Sequence, residues 1–396
     1  MEQKLIGTTT VFFTDRGREK NKGILKLTHP AMLAEEETLH WLDSVHLDEV
    51  AANMDADLRT VAENALSKGT VLLANTAWKT ADEWEKWLQI DNKKKKRVHL
   101  LALGDVGSTV LTALKLMGGD CVETLGIYDV NPDVCARWET ELNQAAFPWD
   151  YDALPTVEIL TEEQLFDCDM FVFCASKGIP PVGSQVQDVR MVQYEANKGI
   201  ISIFAKKARD AKFEGLFAVV SDPVDPLCRA AFLASNEDEA GIFDGKGLRP
   251  EQVQGYGLGV MNARAAYYAK QNPNFADFLT EGRAFGPHGQ DLVIANSIDN
   301  YDDERSKALT KLAIEANLRM RELGFKPYVA PAISSAAISL LLTLRGEWHY
   351  SSNFLNGVYM GSKNRTTLGV EIESLPLPDA LFQRIQKAYD GLEMIR

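Results

Sequence analysis

The chain has 396 residues, 45% of them hydrophobic and 25% charged, and a net charge of −14 from 42 basic and 56 acidic side chains. That length accommodates two or three cored domains. So acidic a balance argues against nucleic-acid and anionic-membrane partners. No apolar run reaches the length of a membrane span, and Met1-Glu-Gln-Lys-Leu-Ile6 has no signal-peptide core. Five scattered cysteines (Cys121, Cys135, Cys168, Cys174 and Cys228) without C-x-x-C spacing read as free thiols of a cytoplasmic protein.

Residues 1–95 predict a small α+β domain. Strand-like runs occur at Thr8–Phe13, Gly23–Leu27 and Val71–Ala74, and helical patterns at Leu47–Leu66 and Asp82–Leu88. His29, His40 and His46 are scattered and read as surface or partner-satisfied histidines. The basic run ending at Arg97 reads as a solvated linker that begins at Asp91.

Residues 96–235 alternate strand and helix. Strands are predicted at 98–103, 124–129, 169–175 and 215–221, with helices at 106–117, 132–144 and 186–209. That rhythm implies a doubly wound parallel sheet of Rossmann type. The first strand ends in Ala102-Leu-Gly104-Asp105-Val106-Gly107, and the next ends in Asp129. This is the layout of a dinucleotide-binding βαβ unit with alanine at the first of three glycine positions. Gly104 permits close approach of a pyrophosphate, Gly107 permits tight helix packing, and the helix N-terminus offers N–H groups to phosphate. Asp129 is placed to accept hydrogen bonds from a ribose diol and would repel a 2′-phosphate, which favours NAD(H). An ordinary βα turn is the alternative reading of the loop taken alone.

A Gly/Pro-rich stretch follows the strand ending at Ala175. It starts at Lys177 and leads through Arg190 into a helix carrying Asn197, the layout of a mobile lid or of a long surface connection. Val220-Ser221-Asp222-Pro-Val-Asp225 ends a predicted strand, where ligands bind in such sheets. The polar stretch Asn236–Gly241 reads as an insertion or linker before a mixed α+β region, 236–396, with helices at 262–270, 303–323 and 332–344. Within it, Gly255-Tyr-Gly257 leads to Arg264, which could clamp a carboxylate or be an exposed helical arginine. His288 sits between glycines in Gly286-Pro-His288-Gly289, a place for a proton donor or simply for a surface histidine.

The order of these patterns resembles the lactate/malate dehydrogenase family over residues 96–396. The family's V-S-N-P-V-D is Val220–Asp225 here, its G-E-H-G is Gly286–Gly289, and its D-x-A-R ends at Arg264. The resemblance implies an NAD-dependent 2-hydroxyacid dehydrogenase, preceded by an extra N-terminal domain. His288 would be the proton donor and acceptor, Arg264 the substrate-carboxylate clamp, Arg190 a lid residue polarising the carbonyl, and Ser334 a small residue beside the substrate. Ala102, Gly104, Asp105, Val106, Gly107, Asp129, Ala175, Asn197, Ser221 and Asp222 would surround NAD. A small carboxylate substrate and a homodimer or homotetramer are implied too, and no metal.

Three departures matter. The family's aspartate partner of the catalytic histidine aligns with Met261, and its V-S-N-P asparagine is Asp222, which is expected to replace part of the missing charge. The lid is longer than usual, carries Pro180-Pro181, and lacks the second basic residue of malate specificity, although Lys177 lies close. Two alternatives follow: a dehydrogenase of a larger or differently charged substrate, and a non-catalytic NAD(H)-binding sensor.

Overall fold

In the computed structural model, residues 2–90, 95–177 and 189–395 are described, with side chains from residue 193 onward in the last stretch. Strands β1 (Glu2–Ile6), β2 (Thr9–Thr14), β3 (Ile24–Lys26) and β4 (Val71–Asn75) come from the first block. Next come β5 (Lys96–Leu101), β6 (Val122–Tyr128), β7 (Thr156–Ile159), β8 (Met170–Phe173), β9 (Leu216–Val219) and β10 (Val253–Gly255). Strands β11 (Arg283–Phe285) and β12 (Val293–Ala295) form a separate hairpin, and β13 (His349–Leu355), β14 (Val358–Thr366) and β15 (Val370–Ile372) follow.

Among the described residues, thirteen of these strands form one sheet, ordered β1-β2-β4-β3-β15-β14-β13-β10-β9-β8-β5-β6-β7. Strands β5 to β10 pair in parallel, in the nucleotide-binding order 3-2-1-4-5-6 counted from β5. The predicted Rossmann-type fold is therefore present. The helices Val189–Asp210 and Val224–Asn236 cover one face over Phe171, Phe173 and Phe217. The helix Asp105–Met117 and the segment Pro331–Arg345 cover the other over Val98, Leu100 and Val172. Successive β5 and β8 residues thus feed opposite cores, as the two-residue period of a strand requires.

The first block joins this sheet at its other end. β3 pairs in parallel with β15 at Val370–Leu25, and β10 to β15 are bridged by antiparallel pairs. Within β2, Phe12 faces the helices Ser44–Asn53 and Ala56–Leu66, while Val11 and Phe13 face Trp84 of the helix Ala81–Leu88. Main-chain bonds tie Ser44 and Leu42 to Leu375 at 2.8 and 2.9 Å. The fully buried Lys22 ammonium bonds Glu37 and the Phe354 carbonyl, and Glu251 accepts from the Gly23 N–H at 2.8 Å and from Arg249. Burial raises the Glu37 pKa, and Lys22 opposes the rise.

Several local expectations are corrected. The single helix expected over Leu47–Leu66 is two, because Asp55 caps a new helix by accepting from the Leu58 N–H at 2.9 Å. Lys96 and Arg97 are not hinge residues. They open β5, where Asp167 and Asp169 receive Arg97, and residues 91–94 lie outside the described residues. Asn236 does not begin a polar linker: its buried amide ends a helix by donating to the Phe232 and Leu248 carbonyls. His29 and His46 face Asp48 and Glu35 at 3.3 and 3.2 Å, as partner-satisfied histidines should.

Removing one member of a buried ion pair leaves an uncompensated charge. Lys22→Met is therefore expected to lower the unfolding free energy by about 3–5 kcal/mol at neutral pH. Urea unfolding should show a smaller loss at acid pH, where Glu37 takes up a proton, and in Lys22→Met/Glu37→Gln.

Candidate active site

The order of the sheet reverses at β5, between β6 and β8, the point at whose carboxyl-end side such sheets bind ligands. Ala102 follows β5 with φ +71°, a left-handed conformation that favours glycine. The alanine at this glycine position holds a strained backbone. Gly104 caps the helix Asp105–Met117, and among the described residues beyond its own turn no atom lies within 4 Å of where its side chain would start, so the backbone is open to a ligand. A Cβ on Gly107 would lie 2.0 Å from the Ala102 carbonyl oxygen, so only glycine lets this helix meet the turn. Val106 packs into the core below.

Asp129 uses its carboxylate on the backbone, accepting from Leu103 N–H at 2.8 Å and Asn131 N–H at 3.0 Å. Each oxygen keeps further acceptor capacity for a diol. Asp105 adds a negative charge to the loop, and Lys326 meets it at 2.9 Å.

The ends of β8 and β9 are tied together beside this loop. Ser221 Oγ donates to the Ala175 carbonyl at 2.7 Å. The buried Asn197 donates to the Asp222 carbonyl at 2.7 Å and to Ser176 Oγ at 3.2 Å, and accepts from Lys177 N–H at 2.9 Å. The lid residues 178–188 and the Arg190 side chain lie outside the described residues.

Below that knot is a cleft of about 250 Å³ whose walls include His288, Arg264, Asp222, Met261 and Asn317. His288 Nδ1 stands 3.8 Å from Asp222 Oδ1. Its backbone N–H points at Asp225 Oδ2, 3.4 Å away. Its ring lies against Gly257, where an added Cβ would come within 2.8 Å of the His288 Cβ. Arg264 donates to the Asn317 side chain and lies 3.5 Å from Met261 Sδ. Burial lowers the Arg264 pKa, opposed by Tyr268 and Asp222. The structure thus gathers His288, Arg264 and Asp222 in one cleft. Ser334 is not on its wall: it lies in the π-helical stretch Pro331–Ala337, and its neighbour Ser335 bonds Gly257 and Val260 instead.

Asp225 and Asn317 are among the wall residues that the sequence did not mark as site residues. Asp225 lies in the first turn of the helix Val224–Asn236, almost wholly buried beneath His288. Burial pushes its pKa up to about 6, against the pull of Ser352 and the His288 N–H. Its place in Val220–Asp225 was the available signal. Asn317 lies on the helix Asp303–Glu322, and only its position three residues beyond Ile314, another wall residue on the same helical face, hints at its place. Facing acids and one arginine around an imidazole can orient a carboxylate and move a proton.

No family model matches the chain. A probable malate dehydrogenase of Campylobacter jejuni is 27% identical over 291 residues, covering 69% of this chain and 87% of the relative. An L-lactate dehydrogenase of Staphylococcus epidermidis is 24% identical over 323 residues, covering 75% and 95%. Among solved structures, the malate dehydrogenase of Archaeoglobus fulgidus in complex with NADH superposes with a TM-score of 0.60 at 18% identity, covering 76% of this chain and 98% of that one. A minor L-lactate dehydrogenase of Enterococcus mundtii gives the same score, identity and coverage.

A carboxyl that takes its proton near pH 6 when folded and near 3.8 when unfolded binds more proton in the folded state between those values. Stability from Asp225 therefore falls as pH rises from about 4 to about 6. Carbon-detected NMR should place its titration near 6, and Asp225→Asn should flatten the stability profile in that window.

Proposed function

The chain belongs to the lactate/malate dehydrogenase family, and from that premise we propose that it interconverts a 2-oxoacid and a 2-hydroxyacid with NAD(H). The observation that carries the reading is the meeting of His288, Arg264 and Asp222 in one cleft beside an open glycine turn. NAD(H) fits that turn: Gly104 leaves the backbone uncovered, the helix N-terminus offers N–H groups, and Asp129 keeps acceptor capacity for the ribose. Ala102, Asp105, Val106, Gly107, Ala175, Asn197, Ser221 and Asp222 complete the proposed cofactor surround.

When bound, NADH supplies a hydride to the carbonyl carbon. Arg264 holds the substrate carboxylate with two parallel hydrogen bonds, releasing part of its bond to Asn317. His288 gives its proton to the carbonyl oxygen and regains one from solvent; in the reverse direction it takes the hydroxyl proton. Arg190 is assigned the polarisation of the carbonyl in this proposal. Met261 places a thioether where the family has a carboxylate, so Asp222, at 3.8 Å, is the anion that favours the imidazolium. Ser334 keeps only a supporting place near the substrate in this proposal.

The division at 95 and 235 separates the proposed roles. The first block holds no site residue, the second holds the cofactor surround, and the third holds Arg264 and His288. Among the described residues no helix is long and apolar enough to cross a membrane. A cytoplasmic homodimer or homotetramer is part of the proposal. The second reading, a non-catalytic NAD(H) sensor, is favoured by Met261 and Asp222, which stand where the family has an aspartate and an asparagine.

NADH oxidation followed at 340 nm against a panel of 2-oxoacids separates the two. Turnover is expected, with His288→Gln losing about 10²–10⁴-fold. NADH binding without turnover on any acid selects the sensor. Asp222→Asn is expected to cut kcat by roughly tenfold or more while changing NADH affinity little. Equal losses in both would remove Asp222 from proton transfer.

A further inference from the structure

A second hollow, of about 330 Å³, lies between the helices Asp303–Glu322 and Asp379–Glu393. It is lined by Lys307, Thr310, Lys311, Ile314, Glu315 and Arg384, three cations to one acid. Ile314 also lines the His288 cleft, so the two hollows meet at that side chain. Helix geometry makes them one groove. Thr310, Ile314 and Asn317 recur at helical spacing on one element, and Arg384, Ala388 and Leu392 on the other. Arg384 spans the gap, donating to Thr310 Oγ1 at 3.1 Å. Seven residues separate Thr310 from Asn317, an axial distance of about 10 Å.

The far end of this groove is built for negative charge. The Arg384 guanidinium is mostly covered and is held by three neutral oxygens, those of Ile294, Tyr301 and Thr310, with its nearest carboxylate, Asp303, 3.9 Å away. Lys311 reaches Glu315 only at 3.9 Å. Lys307 is closer to its acids, Asp303 at 2.6 Å and Glu304 at 3.4 Å, but its side chain is half exposed and such surface pairs are weak. An entering anion can replace these acids at little cost.

We propose that this groove receives the far end of the substrate, and that the protein acts on a 2-oxoacid carrying a second anionic group, a carboxylate or a phosphate, across a spacer of about 10 Å. This rests on the dehydrogenase reading of the His288 cleft. It gives the additional charge a place on the helix pair, away from the lid, in a chain whose lid lacks a second basic residue at its start.

The test compares 2-oxoacids of matched length ending in a carboxylate, a phosphate or a neutral amide, with the full chain and NADH. One or both anionic substrates should exceed the amide in kcat/KM by about tenfold or more. Which of them leads identifies the anion. Lys307→Gln/Lys311→Gln should bring the ratio close to one. Equal values in the wild-type chain, or a ratio unchanged in the variant, overturn the proposal. If no 2-oxoacid oxidises NADH, the dehydrogenase reading has failed, and binding then decides the groove. Suberate and inorganic phosphate are the probes, read as a change in Tm. A rise in the wild-type chain that the double variant lacks supports an anion site, whereas a rise in both chains, or in neither, overturns it.

Discussion

The hydrogen bond from the Asn197 amide to the Asp222 carbonyl holds the two halves of the site in register. Asn197 is buried with both ends of its amide engaged: its oxygen receives the Lys177 N–H, and its nitrogen serves Ser176 and Asp222. An amide in that position ties the lid's first residues to the end of β9. An apolar side chain would leave the Lys177 N–H and the Asp222 carbonyl without this partner, a costly loss in a covered place. From that tie the Asp222 carboxylate reaches His288, and Ser221 reaches back to the end of β8. The cofactor-side loop and the proton-side histidine are thus positioned by the same six residues, Val220 to Asp225.

The electrostatic design around His288 differs from a buried dyad. Met261 is covered and apolar, and Asp225 is covered, with burial pushing its pKa up to about 6. Asp222 is half exposed at the cleft wall. Water screens an exposed carboxylate more than a buried one, so a positive charge on His288 would feel Asp222 less than it would feel a covered partner.

The first block serves the site at a distance. Its β3 covers the edge of β15, which would otherwise present unpaired main-chain groups. Leu42 and Ser44 grip Leu375, just before the helix Asp379–Glu393 whose Ala388 and Leu392 wall the His288 cleft. The buried Lys22–Glu37 pair fixes this block to Phe354 of β13. A segment without a catalytic side chain of its own therefore buttresses one wall of the cleft.

The sequence by itself determined the alternation of strand and helix after residue 96 and the glycine turn, and it singled out His288, Arg264 and Asp222 as candidate site residues. These are local signals: an apolar period, a glycine where backbone must approach closely, a polar group at a strand end. Tertiary structure alone decided what meets what. The strain at Ala102 depends on the path of its turn, and the commitment of Asp129 to Leu103 depends on two strands lying side by side. Ser334 left the cleft wall because the local π-helical turn presents Ser335 to Gly257 instead. Asp225 and Asn317 became wall residues because helices distant in sequence pack there, and the joining of β3 to β15 closes a contact across about 345 residues. Such pairings are set by the packing of whole faces, which no short window of sequence encodes.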